Sequence, residues 1–87
     1  MDSINNRKNN PLTTGRMVEA IMKYRGVTID EFAKKINEHK MNVYKLLNGS
    51  RIITNEMAIK IGNALNIHPI IIMQARDLEV LNLLNQE

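Results

Sequence analysis

Residues 28–51 read TIDEFAKKINEHKMNVYKLLNGSR, and this stretch decides the fold. It opens with a capping box, in which the Thr28 hydroxyl and the Glu31 carboxylate each satisfy a backbone amide of the other residue, so a helix should begin here. The apolar residues that follow recur at helical spacing. Residues 37–38 interrupt this pattern, and the Asn-Gly pair at 48–49 ends the next helix. The stretch therefore predicts two short helices joined by a tight turn.

The flanking sequence continues the helical spacing on both sides. Thr13 or Thr14 is a suitable first cap, and Gly26 suits the left-handed position after the helix it closes. Thr54 caps a later helix, and Pro69 stands at the first position of the last one. No alternation typical of a strand persists, so the chain is predicted to be all-α. The five predicted helices cover about residues 14–25, 29–36, 39–47, 54–65 and 69–85.

Composition excludes several classes of protein. The 87 residues suit one small domain, and the absence of cysteine leaves no disulfide or thiolate site. His39 and His68 lie far apart with no carboxylate at ligand spacing, so neither a metal nor another cofactor is expected. We expect no enzyme, because there is no acid-base pair and no glycine-rich phosphate loop. The apolar run at 70–73 is too short to span a bilayer and no signal peptide is evident, so a soluble cytoplasmic protein is expected.

Positive charge is concentrated in the first two-thirds of the chain. Residues 1–60 carry eleven Lys and Arg against six Asp and Glu, a balance of +5. Residues 61–87 carry one against three, a balance of −2. A basic surface of this kind attracts nucleic acid, so we expect the binding surface in the first two-thirds.

The third predicted helix has an apolar side and a polar side. At about 100° per residue, Val43, Leu46 and Leu47 point together toward a core. The opposite side forms what we call the reading surface: Lys40, Met41, Asn42, Tyr44 and Lys45. In the major groove of DNA, Lys can donate to guanine, Asn can bond adenine, and Met can touch the thymine methyl group. We therefore predict that these residues read base edges.

Phosphate contacts are expected at the ends of the two helices, where hydroxyls, amides and cations collect. The candidates are Thr28, His39, Asn48, Ser50 and Arg51. A cationic imidazole at His39 would strengthen phosphate binding at low pH.

The first eleven residues differ from the rest. They include four asparagines, Arg7, Lys8 and a single isoleucine, too little apolar surface to offset the entropy of ordering. We predict a disordered arm at 1–11, which is either a solvated tail or a basic arm touching the DNA backbone or minor groove. One domain then occupies residues 12–87.

The run from residue 28 to 69 resembles the helix-turn-helix domain of the lambda Cro/cI-like (XRE) family. The residues that fall on family positions without a gap are Thr28, Phe32, Ala33, Ile36, Val43, Leu47, Asn48 and Gly49. The resemblance implies a five-helix, lambda-repressor-like DNA-binding domain. The family's turn glycine is replaced by Asn37 and its apolar turn residue by Glu38. A carboxylate near phosphates is unfavourable, so Glu38 is expected to point away or to pair with Lys35.

A narrower resemblance covers residues 51–65, 68–69 and 74–79, which are similar to HigA-type (VapI-like) antitoxins. It implies a dimer that represses its own operon and binds a ribonuclease toxin. The Phe-Trp-Leu run that usually follows the proline in those proteins is replaced by IIIMQ at 70–74.

The last predicted helix carries more apolar residues than a single face against the core requires. We expect part of this surface to form a homodimer interface. Its residues are Ile70, Ile71, Met73, Leu78, Leu81 and Leu84. A twofold dimer places two recognition helices about one DNA turn apart, on an inverted-repeat operator. A broad face that merely closes the domain is one alternative, and a toxin interface on this helix or on the arm is another.

Three functional hypotheses follow. The first is a sequence-specific, homodimeric repressor that binds double-stranded DNA. It would be either a HigA-type antitoxin that autoregulates its toxin-antitoxin operon or a phage- or plasmid-type Cro/cI regulator without a toxin. The second is an interaction module that keeps the fold but has lost DNA specificity. An enzyme, the third, is disfavoured by the composition.

Overall fold

The computed structural model describes residues 13–85, which form five α-helices. These are α1 (Thr14–Arg25), α2 (Ile29–Lys35), α3 (Lys40–Asn48), α4 (Asn55–Leu65) and α5 (Pro69–Leu84). Between residues 13 and 85 there is no strand, so the predicted all-α, five-helix fold is confirmed. The predicted arm at 1–11 lies outside the described residues.

The helix bounds differ from the sequence prediction by at most one residue at either end. Helix α2 ends at Lys35, because the backbone of Ile36 is no longer helical, at φ −95° and ψ 3°. Helix α3 begins at Lys40, because His39 is its extended N-cap at ψ 148°. Thr54 is likewise the N-cap of α4 rather than its first residue.

Threonine hydroxyls start three of the helices. Thr13 and Thr54 each accept a hydrogen bond from the backbone N–H three residues on, at 3.1 Å. The predicted capping box is present: Thr28 Oγ1 accepts from the Glu31 N–H at 3.2 Å, and Glu31 Oε1 accepts from the Thr28 N–H at 2.9 Å. Hydrogen bonds from the Thr28 backbone N–H, and secondly from its side chain, hold the pKa of the Glu31 carboxyl below its usual range.

The turn between α2 and α3 is a Schellman motif. Asn37 is left-handed at φ 57°, and its N–H donates to the Lys34 carbonyl at 3.2 Å. The Glu38 N–H donates to the Ala33 carbonyl at 2.9 Å. Asparagine therefore performs the role of the family's turn glycine, and the two bonds fix the direction in which α3 leaves α2.

A single apolar core lies between the helices. Its fully buried side chains include Phe32, Ile36, Val43, Ile61 and Ile72. Helix α5 packs mainly on α4 and also on α1. None of the described helices is long and apolar enough to cross a membrane.

Helix α1 approaches the C-terminal end of α3 very closely at Gly15. A Cβ atom at Gly15 would lie 2.4 Å from the carbonyl oxygens of Leu46 and Leu47. Glycine is therefore required here by packing, and it allows the first turn of α1 to rest on the backbone of α3.

Arg76 in α5 holds the loop between α3 and α4. Its Nη1 donates to the Ile53 carbonyl at 3.1 Å and to Asn55 Oδ1 at 2.6 Å. Its Nε and Nη2 donate to Asp77 Oδ1 at 3.1 and 2.9 Å. The loop that follows α3 is thus attached to the last helix as well as to its chain neighbours.

Candidate nucleic-acid interface

Helix α3 buries one side and exposes the other. Val43, Leu46 and Leu47 are buried in the core. Within the reading surface, Met41 is 65% exposed and Tyr44 is 49% exposed. The two lysines are exposed as well, and Asn42 is half-buried at the edge. The structure therefore brings the five predicted residues to the solvent side of one short helix.

Lys40 already has a partner. Its Nζ lies 3.1 Å from Asp30 Oδ1, and both side chains are largely exposed. The hydrogen bond with Asp30, followed by its charge, raises the pKa of Lys40 above the usual lysine value. Exposed pairs of this kind contribute little to stability, so Lys40 can exchange the carboxylate for a base or a phosphate at small cost.

Glu38 turns toward α3 rather than toward Lys35. Its Oε1 accepts a hydrogen bond from Asn42 Nδ2 at 2.9 Å and lies 3.9 Å from Arg51 Nη1. These contacts are found in place of the two expected arrangements, in which Glu38 points away or pairs with Lys35. Asn42, a predicted base-reading residue, and Arg51, a predicted phosphate-binding residue, thus both contact the carboxylate of Glu38.

The predicted phosphate-binding residues lie at the ends of the two helices. Thr28 is exposed and caps α2 through its hydroxyl oxygen, which accepts from the Glu31 N–H. His39 is exposed at the start of α3 and makes no side-chain cap bond. Asn48 Oδ1 accepts from the Ser50 N–H at 2.8 Å. Ser50 and Arg51 are exposed in the loop that follows.

A groove connects the reading surface to the first turn of α1. The residues that line it are Thr13, Arg16, Glu19, Ile29, Tyr44, Leu47 and Asn48. Arg16 is exposed and adds a cation to this groove, which Tyr44 also lines. The sequence prediction missed Arg16, because only the packing of α1 on α3 brings residue 16 to this groove.

The predicted dimer residues do not all share one side of α5. Five of them are exposed on the outward side, namely Ile70, Ile71, Leu78, Leu81 and Leu84. Met73 is instead half-buried and packs against the core of its own chain. The outward side also carries Gln74 and Asp77 and is otherwise apolar.

Neither the reading surface nor its surroundings resembles a metal centre. Within residues 13–85, no group of three or more His, Asp or Glu side chains is placed to hold a metal ion. The chemistry offered by this surface is hydrogen bonding, positive charge and apolar contact.

A comparison with family models gives an independent result. The model described as helix-turn-helix matches residues 18–72, from the second turn of α1 to the first turn of α5. This is more than half of the chain, which therefore belongs to the helix-turn-helix family of the Cro/cI-like (XRE) type. The predicted lambda-repressor-like fold is thereby confirmed. No curated protein matches the chain significantly.

Members of this family are DNA-binding transcription regulators, and this chain is one of them. The motif itself consists of α2, the turn at 36–39 and α3. In helix-turn-helix proteins, the second helix of the motif enters the major groove. Helix α3 is that helix here.

Proposed function

We propose that the chain is a sequence-specific repressor that binds double-stranded DNA as a homodimer at an inverted-repeat operator. The exposed side of α3 is the observation that carries this proposal. Met41, Tyr44 and Lys45 face solvent together, while the other side of the helix is fixed in the core. A lysine suits guanine O6 and N7, and a thioether suits the thymine methyl group.

The residues around α3 supply the phosphate contacts in this proposal. Thr28 lies at the start of α2 and His39 at the start of α3, and Ser50 and Arg51 follow the C-terminal end of α3. Arg16 adds a further cation on the α1 side. Contacts of this type orient a protein on the duplex and make its binding dependent on salt.

The dimer interface of this proposal is the outward side of α5. Its five exposed apolar residues are interrupted only by Gln74 and Asp77. The surface therefore carries little charge that could repel a second copy. An apolar patch of this kind on a small domain marks an interaction site. A twofold axis would cover the patch with the same patch of a second chain.

Within this class, we propose an antitoxin that represses the operon it shares with a ribonuclease toxin. The support is the similarity of residues 51–65, 68–69 and 74–79 to HigA-type antitoxins. A phage- or plasmid-type regulator without a toxin is the alternative. An interaction module without DNA specificity is the second candidate function, and it is favoured by the pairing of Lys40 with Asp30 and of Asn42 with Glu38.

Selection from a random duplex library, followed by gel-shift titration of the selected operator, tests the DNA-binding proposal. The wild-type protein should enrich an inverted repeat and lose affinity steeply as salt rises. Lys45→Ala should weaken binding about 5- to 150-fold. The matched control, Lys60→Ala on the exposed side of α4, should leave affinity unchanged. Enrichment of no motif would refute the proposal and favour the interaction module.

Co-expression with the product of the adjacent upstream gene tests the antitoxin proposal. A small basic ribonuclease whose toxicity is abolished by this chain, and which co-purifies with it, is the expected result. Operator binding without any such partner would identify a phage- or plasmid-type regulator instead.

A further inference from the structure

Glu38 lies in the turn just before α3, and its carboxylate accepts a hydrogen bond from Asn42 in the first turn of that helix. We propose that Glu38 is a positioning residue that makes Asn42 select adenine over guanine. The inference rests on the proposed function, since it concerns how the reading surface chooses a base.

The carboxylate of Glu38 is held in place from several directions. The backbone N–H of Glu38 donates to the Ala33 carbonyl in the Schellman turn, and the Glu38 side chain is only 17% exposed. The positive end of the α3 dipole lies beside it and favours a negative charge there. The group that contacts Asn42 is therefore fixed before any DNA arrives.

The chemistry of the contact sets the orientation of the Asn42 amide. An ionised carboxylate can only accept hydrogen bonds, so Asn42 must present its NH₂ group to Glu38 Oε1, at 2.9 Å. Turning the amide over would bring two oxygens together and lose the bond. One N–H of Asn42 is thus occupied, and the second N–H and Oδ1 remain for a base.

That remaining pair of groups matches one purine and not the other. In the major groove, adenine presents an acceptor at N7 and a donor at N6, whereas guanine presents acceptors at both N7 and O6. One N–H and one carbonyl oxygen pair with adenine. Asn42 cannot donate twice to guanine while it stays bonded to Glu38.

Arg51 contacts the same carboxylate oxygen but affects a different property. Its Nη1 lies 3.9 Å from Glu38 Oε1, a long ion pair on a side chain that remains 43% exposed. Neutralising Glu38 releases Arg51 toward phosphates, which changes the overall affinity. The identity of the selected base depends only on the contact with Asn42.

Library selection with matched variants of the full chain separates these effects. Glu38→Gln keeps a carbonyl that accepts from Asn42, whereas Glu38→Leu has a similar size and no acceptor. Wild type and Glu38→Gln should both prefer adenine over guanine at one position of each half-site, by roughly tenfold or more. Glu38→Leu and Asn42→Ala should lose that preference at the same position and keep the others.

Three results would overturn the inference. The first is a wild-type motif that Glu38→Leu leaves unchanged, and the second is an adenine preference that survives Asn42→Ala. In both, the proposed function stands and only the role of Glu38 is lost. The third is the absence of any wild-type motif, which refutes both proposals together. Glu38→Ala replaces the leucine variant if the latter does not fold, as judged by circular dichroism.

Discussion

Thr14 and Glu79, 65 positions apart, are joined by two hydrogen bonds. Glu79 Oε1 accepts from the Thr14 backbone N–H at 3.0 Å and from its hydroxyl at 2.6 Å. Thr14 is only 3% exposed, so no water can easily replace the carboxylate. An N–H that would have no partner at the start of α1 is thus satisfied by a side chain of α5.

Removal of this carboxylate should destabilise the fold. Glu79→Ala leaves two donors of Thr14 without a partner and should lower the free energy of unfolding by about 1–3 kcal/mol. Glu79→Gln retains an acceptor and should lose less. Urea denaturation measures both values. An alanine variant as stable as wild type would show that the two bonds contribute nothing.

A methyl group at Gly15 should be more harmful than one at Gly26. In Gly15→Ala the new Cβ would meet backbone oxygens at 2.4 Å, and we expect a loss of about 3 kcal/mol or a failure to fold. Gly26 has open space but a φ of 70°, so Gly26→Ala should lose only about 1 kcal/mol. Thermal melting ranks the two variants, and the reverse order would contradict the close approach of α1 to α3.

The capping box should make stability depend on acid pH. Because the pKa of Glu31 is lower in the folded state, its stabilisation is fully present above the unfolded value of about 4.5. It is lost as the pH falls through the lowered folded value. Glu31→Gln is neutral at every pH and has no such dependence. The stability difference between wild type and this variant, measured by urea denaturation, should be constant near neutrality and shrink in acid. A difference that stays constant down to about pH 2 would contradict the assignment.

A charge on the outward side of α5 should separate the proposed dimer. Leu81→Glu removes an apolar side chain worth about 1.5–3 kcal/mol from each copy, so the dissociation constant should rise about 100-fold or more. Sedimentation analysis measures this constant, and circular dichroism checks the fold. Lys60→Glu, on the exposed side of α4, is the control. If the wild-type protein sedimented only as a monomer, the proposal that α5 forms a dimer interface would be refuted.

The fold was predictable because its signals are local. The reciprocal bonds of Thr28 and Glu31 depend on a spacing of three residues. Gly26 marks the end of α1 and Pro69 the beginning of α5, each by its own backbone preference. None of these signals needs knowledge of distant contacts. The all-α architecture and the approximate helix bounds therefore follow from the sequence alone.

The partners of the reading surface were not predictable in the same way. Lys40 meets Asp30 only because the turn brings the two helices of the motif together. Glu38 lies four residues before Asn42, but it precedes the helix, so helical spacing did not indicate their contact. Its orientation follows from the left-handed turn at Asn37, whereas the sequence led us to expect that Glu38 points away or pairs with Lys35.

The attachment made by Arg76 has a consequence for operator geometry. It joins the loop after α3 to α5, so the orientation of the recognition helix is coupled to the helix proposed for dimerisation. In such a dimer the two recognition helices sit at one separation and one relative rotation. Inserting a single base pair between half-sites shifts them by about 3.4 Å and rotates them by about 35°. The length of the spacer, as well as the sequence of each half-site, then becomes part of what the protein recognises.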